Sequence, residues 1–143
     1  MRSLTIVCLL LCTGCFPISA PFHIYPVNQT PGTAPISCRF GLHFGWQTAT
    51  VTVTMPNGEI YSGSLNSSSP RPDNAMAASW DQVFGNGYFN AKVLGSKRHM
   101  RFLLHNPQGT ELRMELHTIP GDNHGSMEGV VLDHDNHLYK AGY

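Results

Sequence analysis

From Trp46 to Met55 the chain reads Trp-Gln-Thr-Ala-Thr-Val-Thr-Val-Thr-Met, so that Ala49, Val51, Val53 and Met55 alternate with Thr48, Thr50, Thr52 and Thr54. A period of two cannot lie on one side of a helix. On a strand it sends the apolar set to a core and the threonines to water. Pro56-Asn57-Gly58 then supplies turn chemistry, and Glu59 to Leu65 returns as the second arm of a hairpin.

Two further hairpins follow the same logic. Met100–His105 and Thr110–His117 flank Asn106-Pro-Gln-Gly109, and in the second arm Leu112, Met114 and Leu116 alternate with Glu111, Arg113, Glu115 and His117. The outward set reads as a solvated strand face. Ser126–Leu132 and His137–Ala141 form the third pair around Asp133-His-Asp-Asn136. Between the first two hairpins, Asp73 or Asn74 is suited to cap a helix over residues 74–84, where Met76, Trp80, Val83 and Phe84 share a stripe before Gly85-Asn-Gly87 ends it. Tyr88–Leu94 reads as a strand after that break. The fold expected is all-β, a small antiparallel barrel or sandwich of about 7–8 strands with one short helix. Its expected core is Trp46, Val51, Val53, Trp80, Phe84, Phe102, Leu104, Leu112, Met114, Leu116, Val131 and Leu138.

The start of the chain addresses location. Arg2 precedes an apolar run from Leu4 to Cys12, too short to cross a bilayer, and then Thr13, Gly14 and Cys15. This is the pattern of a bacterial lipoprotein signal, with residues 1–14 removed and Cys15 lipidated. An alternative cut after Ala20 would give plain secretion. Phe16 rather than an aspartate after the cysteine points to the outer membrane, with the periplasmic or surface face left open. Pro17, Pro21, Pro26, Pro31 and Pro35 make residues 15–35 read as a tether that no central strand would include. Extended, it would span up to roughly 60 Å, and the domain would occupy residues 36–143.

Charge and cysteines exclude several classes. Lys plus Arg and Asp plus Glu are nine each, and loss of Arg2 with the signal leaves a net charge near −1. The basic residues do not cluster beyond Lys97-Arg98 and Arg101, which argues against a nucleic-acid partner. Cys8 and Cys12 fall in the signal, so Cys38 alone remains as a thiol; it is expected to be buried and inert. No Gly-x-Ser-x-Gly, His-Glu-x-x-His or phosphate-cradling glycine loop occurs, so no enzyme and no cofactor is expected. The functional reading is a non-enzymatic interaction or structural module, anchored to the membrane through Cys15, with an envelope protein or the cell wall as partner. The alternative is a periplasmic metal-binding protein. His124, His134 and His137 with Asp133 and Asp135 crowd the last two loops, and imidazoles converging with a carboxylate would suit Zn²⁺ or Cu²⁺. Asp and Asn are equally the ordinary residues of a hairpin turn.

The block Trp80-Asp-Gln-Val-Phe-Gly-Asn-Gly-Tyr-Phe89, with Val93-Leu-Gly95, Gly109-Thr110, Gly129-Val-Val-Leu-Asp133, Leu138-Tyr-Lys140 and Ile24-Tyr-Pro-Val27, resembles a group of small bacterial lipoproteins. The resemblance covers most of the chain after the signal. It implies lipidation at Cys15 and an envelope location, and it implies no chemistry.

Overall fold

The computed structural model describes residues 18–28, 33–43, 48–65, 71–96, 98–122 and 126–142. Eight strands, each antiparallel to the next, run as β1 (Ile18–Pro26), β2 (Ile36–His43), β3 (Thr48–Thr54), β4 (Ile60–Ser64), β5 (His99–His105), β6 (Glu111–Thr118), β7 (Met127–Asp133) and β8 (Leu138–Gly142). β8 pairs with β1, and the sheet closes into an up-and-down barrel. The alternation of β3 places Ala49, Val51 and Val53 inside with no exposed surface, while Thr50 and Thr54 face solvent. β6 does the same with Leu112, Met114 and Leu116. Phe22, Ile24, Phe40, Phe102, Val131 and Tyr139 join them in one interior cluster. The outer face of β2 to β4 carries Ser37, Arg39, Thr50, Thr54, Ser62 and Ser64. Apolar inside and polar outside is the reverse of a barrel that spans a bilayer. Among the described residues no helix is long and apolar enough to cross a membrane.

Two inward positions must be glycine for the wall to close. A β-carbon on Gly63 would run into the carbonyl oxygen of Leu103 and the Leu104 side chain, and one on Gly129 into the carbonyl of Glu115 and the Leu116 side chain. Neighbouring backbones therefore approach more closely there than a side chain would allow. The junction of β4 and β5 is the least laddered, with Ser62↔His105 as its one registered pair.

The first strand corrects the tether expected over residues 15–35. Ile18–Pro26 is part of the barrel, pairing with β2 from Ile18↔Leu42 to Ile24↔Ile36 and with β8 from His23↔Gly142 to Pro26↔Tyr139. The prolines fit because of where their missing N–H groups would point. Val27 N–H donates to the Leu138 carbonyl at 3.1 Å, so odd-numbered residues of β1 face β8 and even-numbered ones face β2. Pro21 is odd and lies beyond the last pair with β8. Pro26 is even and lies beyond the last pair with β2. Neither removes a ladder bond.

The long connection between β4 and β5 holds the helical part. Asp73 caps it, its carboxylate accepting from Ala75 N–H at 3.0 Å. A single turn at Asn74–Met76 leads into α1 (Ala77–Phe84), as expected for residues 74–84. Gly85, at φ 111°, ends α1. The strand expected over Tyr88–Leu94 is instead a helical turn, Phe89–Val93, closed by Leu94 N–H to the Phe89 carbonyl at 3.0 Å. Asp81 explains the restart, since its carboxylate accepts the Phe89 N–H at 2.9 Å and so caps the new turn as α1 finishes. Phe89 and Val93, four apart, then pack with Met76, Trp80, Val130 and Leu138 against the outside of β7 and β8. Of the expected core, Phe84 is only half-buried and Trp46 lies outside the described residues; the other members are buried.

Candidate functional site

Covering the barrel wall changes the fate of the outward residues on β5 and β6. Glu115, expected on a solvated face, is 1% exposed, and His117 is fully buried. Glu115 Oε2 accepts the Trp80 indole N–H at 3.0 Å. Its Oε1 accepts from Asp73 N–H at 3.1 Å and from Arg101 Nε at 3.2 Å. A carboxylate taken out of water is tolerable only with such donors and a countercharge. Arg101 also reaches the Arg71 carbonyl at 3.1 Å and stands 3.8 Å from Asp73 Oδ2. The cap of the helical segment, its central tryptophan and two strands thus meet on one side chain.

His99 completes the cluster from β5. Its side chain is 1% exposed and its Nε2 lies 3.6 Å from Glu115 Oε2, an ion-pair distance too long for a hydrogen bond. Among the described residues neither ring nitrogen of His99 has a hydrogen-bond partner, and nor does Nδ1 of His117. The other nitrogen of His117 lies 3.2 Å from Glu128 Oε1 and 3.4 Å from the Tyr88 hydroxyl, which donates to the same Glu128 oxygen. Burial and the bond to Glu128 push the Tyr88 phenol above its ordinary range. Burial alone would raise Glu128, but the bonds from His117 and Tyr88, with the charges of His117 and Lys140, outweigh it and hold the carboxyl below its ordinary value. Trp80, Phe84 and Tyr88 stack with neighbouring centroids 4.7 and 5.5 Å apart, His117 meets Trp80 edge-on at 5.1 Å, and Lys140 Nζ sits 5.0 Å over the Phe84 ring. Chemically, the arrangement clamps the helical segment to the barrel.

The C-terminal loops hold a second polar centre, and it belongs to a turn. Asp133 Oδ1 accepts from the N–H groups of Asp135 and His137 at 3.0 and 2.8 Å. Its Oδ2 lies 2.9 Å from His137 Nδ1 and accepts the Tyr139 hydroxyl at 2.9 Å. Asn136 adopts φ 63°, the left-handed conformation that asparagine tolerates in a tight turn. His134 pairs with its sequence neighbour Asp135 at 3.1 Å, and both are exposed. His134 and His137 therefore engage different carboxylates. Among the described residues no group of three His, Cys, Asp or Glu side chains is placed to hold a metal ion; His124 lies outside them, as does Cys15. Cys38 is buried in the barrel interior, and desolvation pushes its thiol up to about 12, which leaves little thiolate to react.

The alternation of β6 marked Glu115 and His117 as outward without saying what lay over them. One signal was present in Trp80. A buried indole N–H needs an acceptor, and the outward acids of the strands are the acceptors within a sheet-packed helix's reach. Searches of family models, of curated proteins and of solved structures find no match to this chain.

Proposed function

We propose that the chain is a lipid-anchored envelope protein whose barrel serves as a non-enzymatic binding or structural module, working through its outer surface on another envelope protein or the cell wall. The observation that carries the second half is the engagement of the acids that lie wholly or partly buried. Glu115, Glu128 and Asp133 are all taken up by bonds that hold the chain together, and the barrel interior is filled with aliphatic and aromatic side chains. What remains available is the outside, with the hydroxyl-rich wall of β2 to β4 as its most uniform part. Support for the anchor is the signal pattern ending in Thr13-Gly14-Cys15.

The test is a Cys15→Ser variant followed by acyl labelling and fractionation. Labelling is expected to vanish and the barrel to appear in the soluble fraction, because one or more buried acyl chains supply about 0.8 kcal/mol of membrane affinity per methylene. Labelling that persists in the variant refutes the anchor. Crosslinking of the intact protein in membranes then addresses the partner, and a discrete crosslinked species is the expected result.

A further inference from the structure

We infer that the barrel rests on the bilayer by the end at which β1 begins, so that the lipid headgroup surface is the partner of that end. The inference rests on the lipid anchor proposed above. The first registered pair of the barrel is Ile18↔Leu42, which leaves Phe16 and Pro17 between the acyl-bearing Cys15 and the wall. Three residue steps reach at most roughly 10 Å. A domain held so closely cannot stand off from the membrane, and the strand that leads to the anchor fixes which end faces it.

In an up-and-down barrel that end also carries the starts of β3, β5 and β7 and the finishes of β2, β4, β6 and β8. The Thr118 N–H to Arg98 carbonyl bond, at 3.1 Å, ties the entry to β5 and the exit from β6 together there. The helical turn at Phe89–Val93 lies at the same end, because the preceding Tyr88 reaches Glu128 near the start of β7 and His117 near the finish of β6. Its chemistry suits an interface. Leu94 is 48% exposed, Lys92 and Arg98 are exposed on either side of it in the chain, and Pro120, just past β6, is exposed at the same end. An apolar side chain flanked by cations fits the boundary of an anionic headgroup layer. The opposite end presents the turns after β3, β5 and β7, with exposed Glu59 and Asp135. Glu59 and Asp135 therefore face away from the membrane, while Asp122, in the turn after β6 at the membrane end, is half-buried and accepts the Ser126 N–H at 2.9 Å.

The experiment uses the full-length lipidated protein in vesicles of phosphatidylethanolamine and phosphatidylglycerol, with a polarity-sensitive fluorophore on Pro120→Cys or, separately, on Asn57→Cys. Cys38 is buried with its thiol raised to about 12 and does not compete for label. Strands of this length tilted in a barrel place the Asn57 label roughly 15 Å farther out. The expected result is a blue shift and loss of emission to brominated lipid at position 120, with neither at position 57. Equal, unquenched emission from both positions in protein that still sediments with the vesicles overturns the orientation and leaves the anchor standing. Protein that carries no acyl chain and does not sediment overturns the anchor, and this inference with it.

Discussion

Glu115 shows how much a single residue can organise once it is covered. Its carboxylate joins the cap of the helical segment, the indole of Trp80 and the guanidinium of Arg101, so substitutions at its partners act on several elements. Trp80 is fully buried, and Trp80→Ala is expected to cost about 3–5 kcal/mol in chemical denaturation, the range for truncated core aromatics. A change below about 1 kcal/mol would mean that α1 does not seal the wall. Acid sensitivity belongs to the same scale. Burial would raise the Asp133 carboxyl, yet the backbone N–H and ring of His137 and the Tyr139 hydroxyl together hold it below its ordinary value, and Glu128 is depressed in the same way. A carboxyl whose pKa is lower folded than unfolded adds stability that is complete above the unfolded value, about 4, and is lost as pH falls through the folded one. Thermal midpoints are therefore expected to fall on acidification below about pH 4, and the Asp133→Asn, Glu128→Gln double variant to show a shallower fall. Superimposable pH profiles would contradict this origin of the acid limb.

Among the elements, β1 separates a closed barrel from a domain on a stalk. It carries Phe22 and Ile24, 2% and 1% exposed, into the interior and supplies the ladder that joins β2 to β8. Burying each such side chain is worth about 1.5–3 kcal/mol, and losing the strand would also expose two sheet edges. Residues 36–143 alone are expected to be at least about 3 kcal/mol less stable than residues 18–143, or to aggregate on purification. Equal stability of the two would return residues 18–26 to the role of tether. The helical segment makes the complementary point. Asp81 restarts a helix straight after Gly85-Asn-Gly87, and the restarted turn brings Phe89 and Val93 to join Met76 and Trp80 over Val130 and Leu138 on the outer wall.

For the molecule as a whole, the filled interior and the engaged acids direct attention outward. Zinc titrated into the purified barrel by calorimetry is expected to give no stoichiometric binding, since His134 and His137 lie on separate carboxylates. Binding at one equivalent that disappears in a His124, His134, His137 triple alanine variant would instead establish the metal-binding alternative. The proposed orientation on the bilayer adds an asymmetry, with Lys92, Leu94 and Arg98 toward the lipid and the turn bearing Asp133 to Asn136 away from it.

The all-β class, the three hairpins and the capped helix at residues 74–84 were legible in the sequence because each depends on local terms: a period of two, turn residues and a side-chain cap. The same period fixed which side of β3 and β6 faces the interior. Tertiary structure decided three things that no local term contains. The register of β1 decided that Pro21 and Pro26 could join a sheet, since a missing N–H matters only where a neighbour waits for it. Closure of β8 onto β1 selected a barrel over a sandwich, because both architectures accept the same alternation. And the placement of α1 over β7 and β8 decided that Glu115 and His117, outward by parity, are buried all the same: alternation distinguishes the two faces of a sheet, and only packing determines which of them meets water.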